Sequence, residues 1–253
     1  MKYDAVIFDL FGTLVDNTEF LDISRSEYNR TLSNVAAALS IPEPDLLRLW
    51  TETVHERDAG LFPSMEEYFQ HICREIGVKA DVRQIARAVE LRLEYLRSIL
   101  TPRNHAIETL TELKASGYRL GLISDCSSEV PLLWPETPFA ALLDGAIFSC
   151  EVKLTKPDAR IYRMVCERLE VAPDRCLYVG DGGSGELTGA LEFGMDPVLI
   201  RAPYDTVKGH REDWEGTRIS ELKQVLDLET ISKGGSTSPS IPSGELTTKA
   251  KRS

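Results

Sequence analysis

Two rhythms of apolar and polar positions alternate along this chain. Short apolar runs, "YDAVIF", "YRLGLIS", "GAIFS", "CLYVG" and "PVLI", read as buried strands. Between them lie segments of helical period, "HAIETLTELKAS", "DARIYRMVCERL" and "GELTGALEFG". Gly117 and Gly194 each fall just past such a run, where helices stop. Strand–helix alternation predicts a parallel sheet covered by helices on both faces, a doubly wound, Rossmann-like α/β core.

One interval breaks the rhythm. From about Asn17 to Leu100 there is no convincing strand. In "DVRQIARAVELRLEYLRSIL", Val82, Ile85, Val89, Leu93, Leu96 and Leu100 share one helical face. Arg83, Arg87, Glu90, Glu94 and Arg97 share the other, which reads as a solvated face. Pro42, Pro44 and Phe62-Pro63-Ser64 punctuate the interval. The pattern predicts an all-helical insertion of three or four helices over 17–100, between core segments 1–16 and 101–231. The remaining residues, 232–253, are rich in Ser, Gly, Pro and Thr. They lack the apolar surface to offset their ordering entropy and are expected to be disordered.

Composition narrows the partners. The 253 residues carry a net charge of −11, which disfavours nucleic acid and anionic membrane surfaces. No apolar run is long enough to span a bilayer, and the N-terminus lacks the features of a signal peptide. A cytoplasmic protein is expected, monomeric or homodimeric, acting on a small molecule. The five cysteines are odd in number and show no C-x-x-C spacing, which points to buried free thiols.

Open α/β sheets place their sites at the carboxyl ends of the strands. Here those ends offer Asp9 with Gly12-Thr13, Ser124 with Asp125, Lys153 and Lys156, and Asp181 with Glu186. A carboxylate can attack an electrophile and form a covalent intermediate. Converging carboxylates repel unless a hard cation sits between them, and Mg²⁺ takes one or two carboxylates plus water and substrate phosphate. A lysine offsets the remaining charge and orients the nucleophile. Hydroxyl and backbone N–H groups hold phosphate oxygens.

Four motifs in order, "DLFGT", "LISD", "LTKPD" and "VGDGGSGELTGA", resemble the haloacid dehalogenase-like hydrolase superfamily, and the helical insertion resembles its cap. The resemblance covers about residues 3–200 and implies a Mg²⁺-dependent hydrolase of a small phosphorylated metabolite. It implies Asp9 as nucleophile, paired with Lys156. Thr13, Ser124 and Asp125 are the expected phosphate contacts. The metal set is Asp9, the backbone carbonyl of Phe11, Asp181 and Glu186, the last holding a metal-bound water or Lys156.

Phe11 departs from the pattern. Phosphatases of the family have a second Asp there, which protonates the leaving alkoxide and later deprotonates water. Phenylalanine does neither, and losing such a group costs roughly 10²–10⁴ in rate. An aromatic at this position resembles the dehalogenase branch, because a departing halide needs no proton. That branch works without metal and lacks the acidic fourth motif, whereas Asp181 and Glu186 are both present here. The fourth motif carries the greater weight, since a metal site takes several coordinated residues and an aromatic takes one substitution. A hydrolytic dehalogenase, or a phosphate binder that has lost turnover, are the alternative readings. Asp125, Asp16 and His55 are candidate replacements for the missing acid, although Asp125 reads more as a loop hydrogen-bonder than as an acid.

Three blander readings compete. Lys156 precedes Pro157, a favoured first residue of a helix, and so reads also as a surface lysine, with Lys153 taking its role. Phe11 reads as packing against the cap. Gly180, Gly182 and Gly185 satisfy G-x-G-x-x-G, with Asp205 at the distance of a ribose ligand, but Asp181 sits where a pyrophosphate would approach.

Overall fold

The computed structural model describes residues 2–16, 26–203, 205 and 211–228. The strands are β1 (Ala5–Phe8), β2 (Arg119–Ser124), β3 (Gly145–Phe148), β4 (Cys176–Gly180), β5 (Asp196–Ile200) and β6 (Arg218–Ile219). They form one sheet in the order β3-β2-β1-β4-β5-β6, and every pairing is parallel. β6 has no counterpart in the hydrophobic pattern, because two residues are too few to show a period.

Side chains alternate across the sheet, and both faces are buried. Val6 and Phe8 pack with Leu120, Leu122 and Val179 on one side. Ala5 and Ile7 pack with Ile123, Tyr178 and Leu199 on the other. Helices cover both: α6 (Ala106–Ala115), α7 (Glu129–Leu133), α8 (Ser149–Val152), α9 (Ala159–Leu169), α10 (Glu186–Phe193) and α11 (Gln224–Asp227). All five cysteines are buried and free.

Between β1 and α6 the described residues form five helices and no strand. These are α1 (Ser26–Leu39), α2 (Glu43–Glu52), α3 (Val54–Asp58), α4 (Met65–Ile76) and α5 (Val82–Ile99). Their starts are written locally. Ser64 accepts the backbone N–H of Glu67 at the head of α4, and Asp81 forms a reciprocal capping box with Gln84 at the head of α5. Leu39, Leu46, Trp50, Tyr68, Phe69 and Ile72 give this layer its own core. The five-residue α3 is the helix beyond the expected four; it is too short to show a period.

On α5 the expected face holds with one correction. Ile85, Val89 and Leu96 are buried, as is Leu100 just beyond the helix, and the five charged positions are exposed. Val82 is 85% exposed, because it opens the helix where no neighbour faces it. Arg92, in the middle of the helix, is buried instead. The insertion's expected start at Asn17 and the expected disordered tail lie outside the described residues. No described helix is long and apolar enough to cross a membrane.

Gly60, just after α3, touches the core. Its φ is +69°, and a Cβ there would lie 2.0 Å from the carbonyl oxygen of Cys150 on α8. A side chain does not fit in that gap, so backbone meets backbone.

Candidate active site

Strand register alone brings the site together. Phe8 of β1 is level with Leu122 of β2 and Val179 of β4. Asp9 continues that line, its N–H donating to the Val179 carbonyl at 3.0 Å. Ser124, the last residue of β2, and Asp181, just past the end of β4, therefore each lie two residues beyond the level of Phe8. This edge lies where the chain turns outward to β2 on one side and to β4 on the other, the position at which doubly wound sheets carry ligands.

The loop after β1 is a tight turn. Gly12, with φ +84°, donates its N–H to the Val15 carbonyl, and Leu14 donates to Leu10. Buried Arg103 braces it, donating Nη1 to the Gly12 carbonyl at 2.6 Å. No sequence motif marks Arg103, whose role follows from packing alone.

Lys156 stands at the centre. Its Nζ donates to Asp9 Oδ1 at 2.6 Å and to Glu186 Oε2 at 2.5 Å. It is 6% exposed and α9 starts only at Ala159, capped by Asp158, so the reading of Lys156 as a surface residue at a helix start is corrected. The competing Lys153 is exposed and lies outside the cluster. Burial alone would lower the Lys156 ammonium, but the carboxylates of Asp9 and Glu186 outweigh it and hold the group well above its ordinary value.

Glu186 is fully buried at the head of α10 and is held on every side. It accepts from Lys156, from the Tyr178 hydroxyl at 2.9 Å and from the Gly182 N–H at 3.0 Å. Burial raises its carboxyl, the Asp9 charge adds to that, and Lys156 opposes both. A Cβ on Gly180 would lie 2.3 Å from Glu186 Oε1, so glycine there makes room for the carboxylate. Asp181 accepts the Gly183 N–H at 2.9 Å and pairs with the guanidinium of Arg211. Asp9, Asp181 and Glu186 each place a carboxylate oxygen within 4.8 Å of the others. Three buried carboxylates with oxygen donors only form a set that can hold a hard divalent cation.

The expected phosphate contacts border this cluster. Thr13 Oγ1 and Ser124 Oγ are buried without a hydrogen bond of good geometry among the described residues, Ser124 lying beside the Cys126 thiol. Leaving a buried hydroxyl unmet costs about 1–3 kcal/mol, a cost a ligand oxygen removes. Asp125 is tied down: its Oδ1 accepts the backbone N–H of Lys156 at 3.1 Å. Asp16 lies 4.0 Å from the Arg103 guanidinium and His55 is exposed on α3, so neither sits at the cluster.

Phe11 borders a cavity of about 470 Å³ between the sheet edge and the helical insertion. Tyr28, Trp50, Val54, Leu96 and Val130 make it largely apolar, and Asp125 opens onto it from the site. Four charged residues that no motif marks also line it: Arg57, Asp58, Arg92 and Glu129. Arg92 Nη2 pairs with Glu129 Oε1 at 2.9 Å, and both side chains are at most 5% exposed. This pair joins α5 to α7.

The dinucleotide reading of the glycine-rich loop is corrected. Asp205 is taken by Arg103 and by the N–H of Ala202. The N-terminal amides of α10, where a pyrophosphate would bind, donate instead to the carboxylate of Glu212: Leu187 at 2.7 Å and Thr188 at 2.8 Å.

Comparison with known proteins agrees with this fold. The chain is 25% identical over 229 residues to a glyceraldehyde 3-phosphate phosphatase of Methanocaldococcus jannaschii, covering 88% of this chain and 96% of that one. It is 27% identical over 199 residues to (S)-2-haloacid dehalogenase 4A of Burkholderia cepacia, covering 78% and 82%. The crystal structure of a 2-haloacid dehalogenase from Pseudomonas syringae pv. Tomato superposes with a TM-score of 0.68 at 19% identity, over 91% of this chain and 99% of that one. The profile of a hydrolase family, the haloacid dehalogenase-like hydrolases, matches residues 3–194, and the chain belongs to that family.

Proposed function

We propose that this hydrolase is a Mg²⁺-dependent phosphatase that passes the phosphoryl group of a small phosphorylated metabolite to Asp9 and then to water. The observation that carries the reading is the buried set of Asp9, Asp181 and Glu186 around the ammonium of Lys156. Displacing a halide needs one carboxylate; three converge here against the two cations Lys156 and Arg211, and a divalent cation accounts for the charge left over. Asp9, Asp181 and the Phe11 carbonyl are the donors for that cation, while Glu186 is engaged in holding Lys156. Bound there, Mg²⁺ supplies charge neutralisation to the phosphoryl oxygens as they develop charge.

The remaining work falls to side chains. Lys156 fixes Asp9 Oδ1, so the nucleophile keeps one orientation. The hydroxyls of Thr13 and Ser124 donate to phosphoryl oxygens, and Asp125 holds the loop that carries Lys156. The helical insertion, taken as 17–100, acts as a cap that closes over the substrate in the cytoplasm of a monomer's or homodimer's host cell. The relative named a glyceraldehyde 3-phosphate phosphatase supports a small phosphate ester as substrate.

A second reading, hydrolytic dehalogenation at carbon, is favoured by Phe11, by the apolar cavity and by the relative named a haloacid dehalogenase. One assay separates the two. Phosphate-ester hydrolysis that stops with chelator and returns with Mg²⁺ is the expected outcome. Halide release from haloacids, indifferent to chelator, overturns it, as does binding of a phosphate analogue with neither activity.

A further inference from the structure

We propose that Asp58, brought by α3 to the cavity that Phe11 borders, is the proton donor for the leaving group. This rests on the phosphatase reading. An alcohol leaving from a phosphoryl group needs a proton, and the phenyl ring of Phe11 has none to give. The cavity beside that ring is where the leaving group emerges, and its carboxyls are the available donors. Glu129 is locked to Arg92, and Asp125 accepts the backbone N–H of Lys156. The Asp58 side chain makes no hydrogen bond or ion pair among the described residues.

Its surroundings favour the protonated form. Asp58 is open to the cavity yet enclosed by protein, and this burial lifts its carboxyl to about 6. The carboxylates of Asp125 and Glu129 push the same way, while Arg57 and His55 on its own helix oppose them. The buried thiol of Cys126 also lies within its field. Arg92, the remaining cation in the cavity, is neutralised by Glu129. A carboxyl with this affinity keeps its proton up to about pH 6, well above an ordinary aspartate, and releases it to an alkoxide.

The cycle balances. A carboxylate oxygen of Asp9 attacks phosphorus, the bond from phosphorus to the ester oxygen breaks, and that oxygen takes the proton of Asp58. The alcohol leaves. The Asp58 carboxylate then takes a proton from the water that attacks the aspartyl phosphate. Inorganic phosphate departs, and both residues are restored.

The test compares β-glycerol phosphate, an alkyl ester, with para-nitrophenyl phosphate, whose leaving group needs little protonation. It reads kcat/KM, which reports the first half-reaction. Wild type is expected to hydrolyse both, with a kcat/KM on the alkyl ester that falls as pH rises through about 6. Asp58→Asn is expected to lose roughly 10²-fold or more on the alkyl ester, much less on the aryl ester, and to lose the limb near pH 6. Asp58→Glu is expected to regain part of the alkyl activity. Equal losses on the two esters, an unmoved pH limb, or wild-type activity on the aryl ester alone overturns the Asp58 assignment and leaves the phosphatase reading standing. Wild type inactive on both overturns both.

Discussion

At the scale of single residues the site is a problem in charge, and Lys156 is its solution. Removing the ammonium leaves Asp9 and Glu186 facing each other in a buried space, a loss of about 3–5 kcal/mol. Lys156→Met should therefore lower the urea midpoint, and millimolar Mg²⁺ should restore part of the loss; a midpoint indifferent to Mg²⁺ would remove the cluster as a metal site. Asp58 gives a second prediction, opposite in sign to the usual acidic residue. Its folded-state affinity for the proton exceeds the ordinary one near 3.8, so the folded protein binds more protons than the unfolded chain between that value and about 6. Stability should thus fall as pH rises through that window. Asp58→Asn should flatten the fall and gain about 1–3 kcal/mol at neutral pH, read from denaturation midpoints at several pH values. Asp9, Ser124, Lys156, Asp181 and Glu186 were legible in the sequence because strand ends and their loops fix where such side chains go. Asp58, Arg92, Arg103 and Arg211 were not. Their positions follow from how helices and distant loops pack, and local spacing carries no trace of that.

At the scale of elements, α3 is the piece to probe. It is five residues long, too short to hold itself together, and its placement depends on what it rests against. Gly60 provides that rest against Cys150. Gly60→Ala puts a methyl group into a backbone carbonyl and asks an L-residue to hold φ +69°, so α3 must back away from α8. A loss of about 1–3 kcal/mol is expected, seen as a lower melting temperature. Catalysis should suffer beyond that loss at temperatures where the variant is folded, because Asp58 moves with the helix. The longer elements show why others were readable. The five strands of three or more residues and α4, α5, α6, α9 and α10 each carry a full apolar period, and several have a cap or a glycine stop. The two-residue β6 and the five-residue α3 cannot.

At the scale of the whole molecule, the described residues of the helical insertion are clasped to the sheet layer by two ion pairs of very different strength. Arg97 and Glu136 meet at 2.8 Å, but both are about half exposed, so water screens the pair and it contributes little. Arg92 and Glu129 meet in a dry setting, flanked by the rings of Trp50 and Tyr95. Arg92→Ala leaves Glu129 as an uncompensated buried charge and should cost about 3–5 kcal/mol in a denaturant titration, whereas Arg97→Ala should leave the midpoint nearly unchanged. Pulling the two layers apart in the intact protein means separating the buried pair as well. If water repays only part of that separation, the parted state is rarer than the joined one by about two to three powers of ten. Escape of the spent alcohol and phosphate then becomes the slow beat of each cycle. Throughput would follow the viscosity of the medium more closely than the chemistry of the ester, and added salt, which does not reach a dry pair, would leave it unchanged.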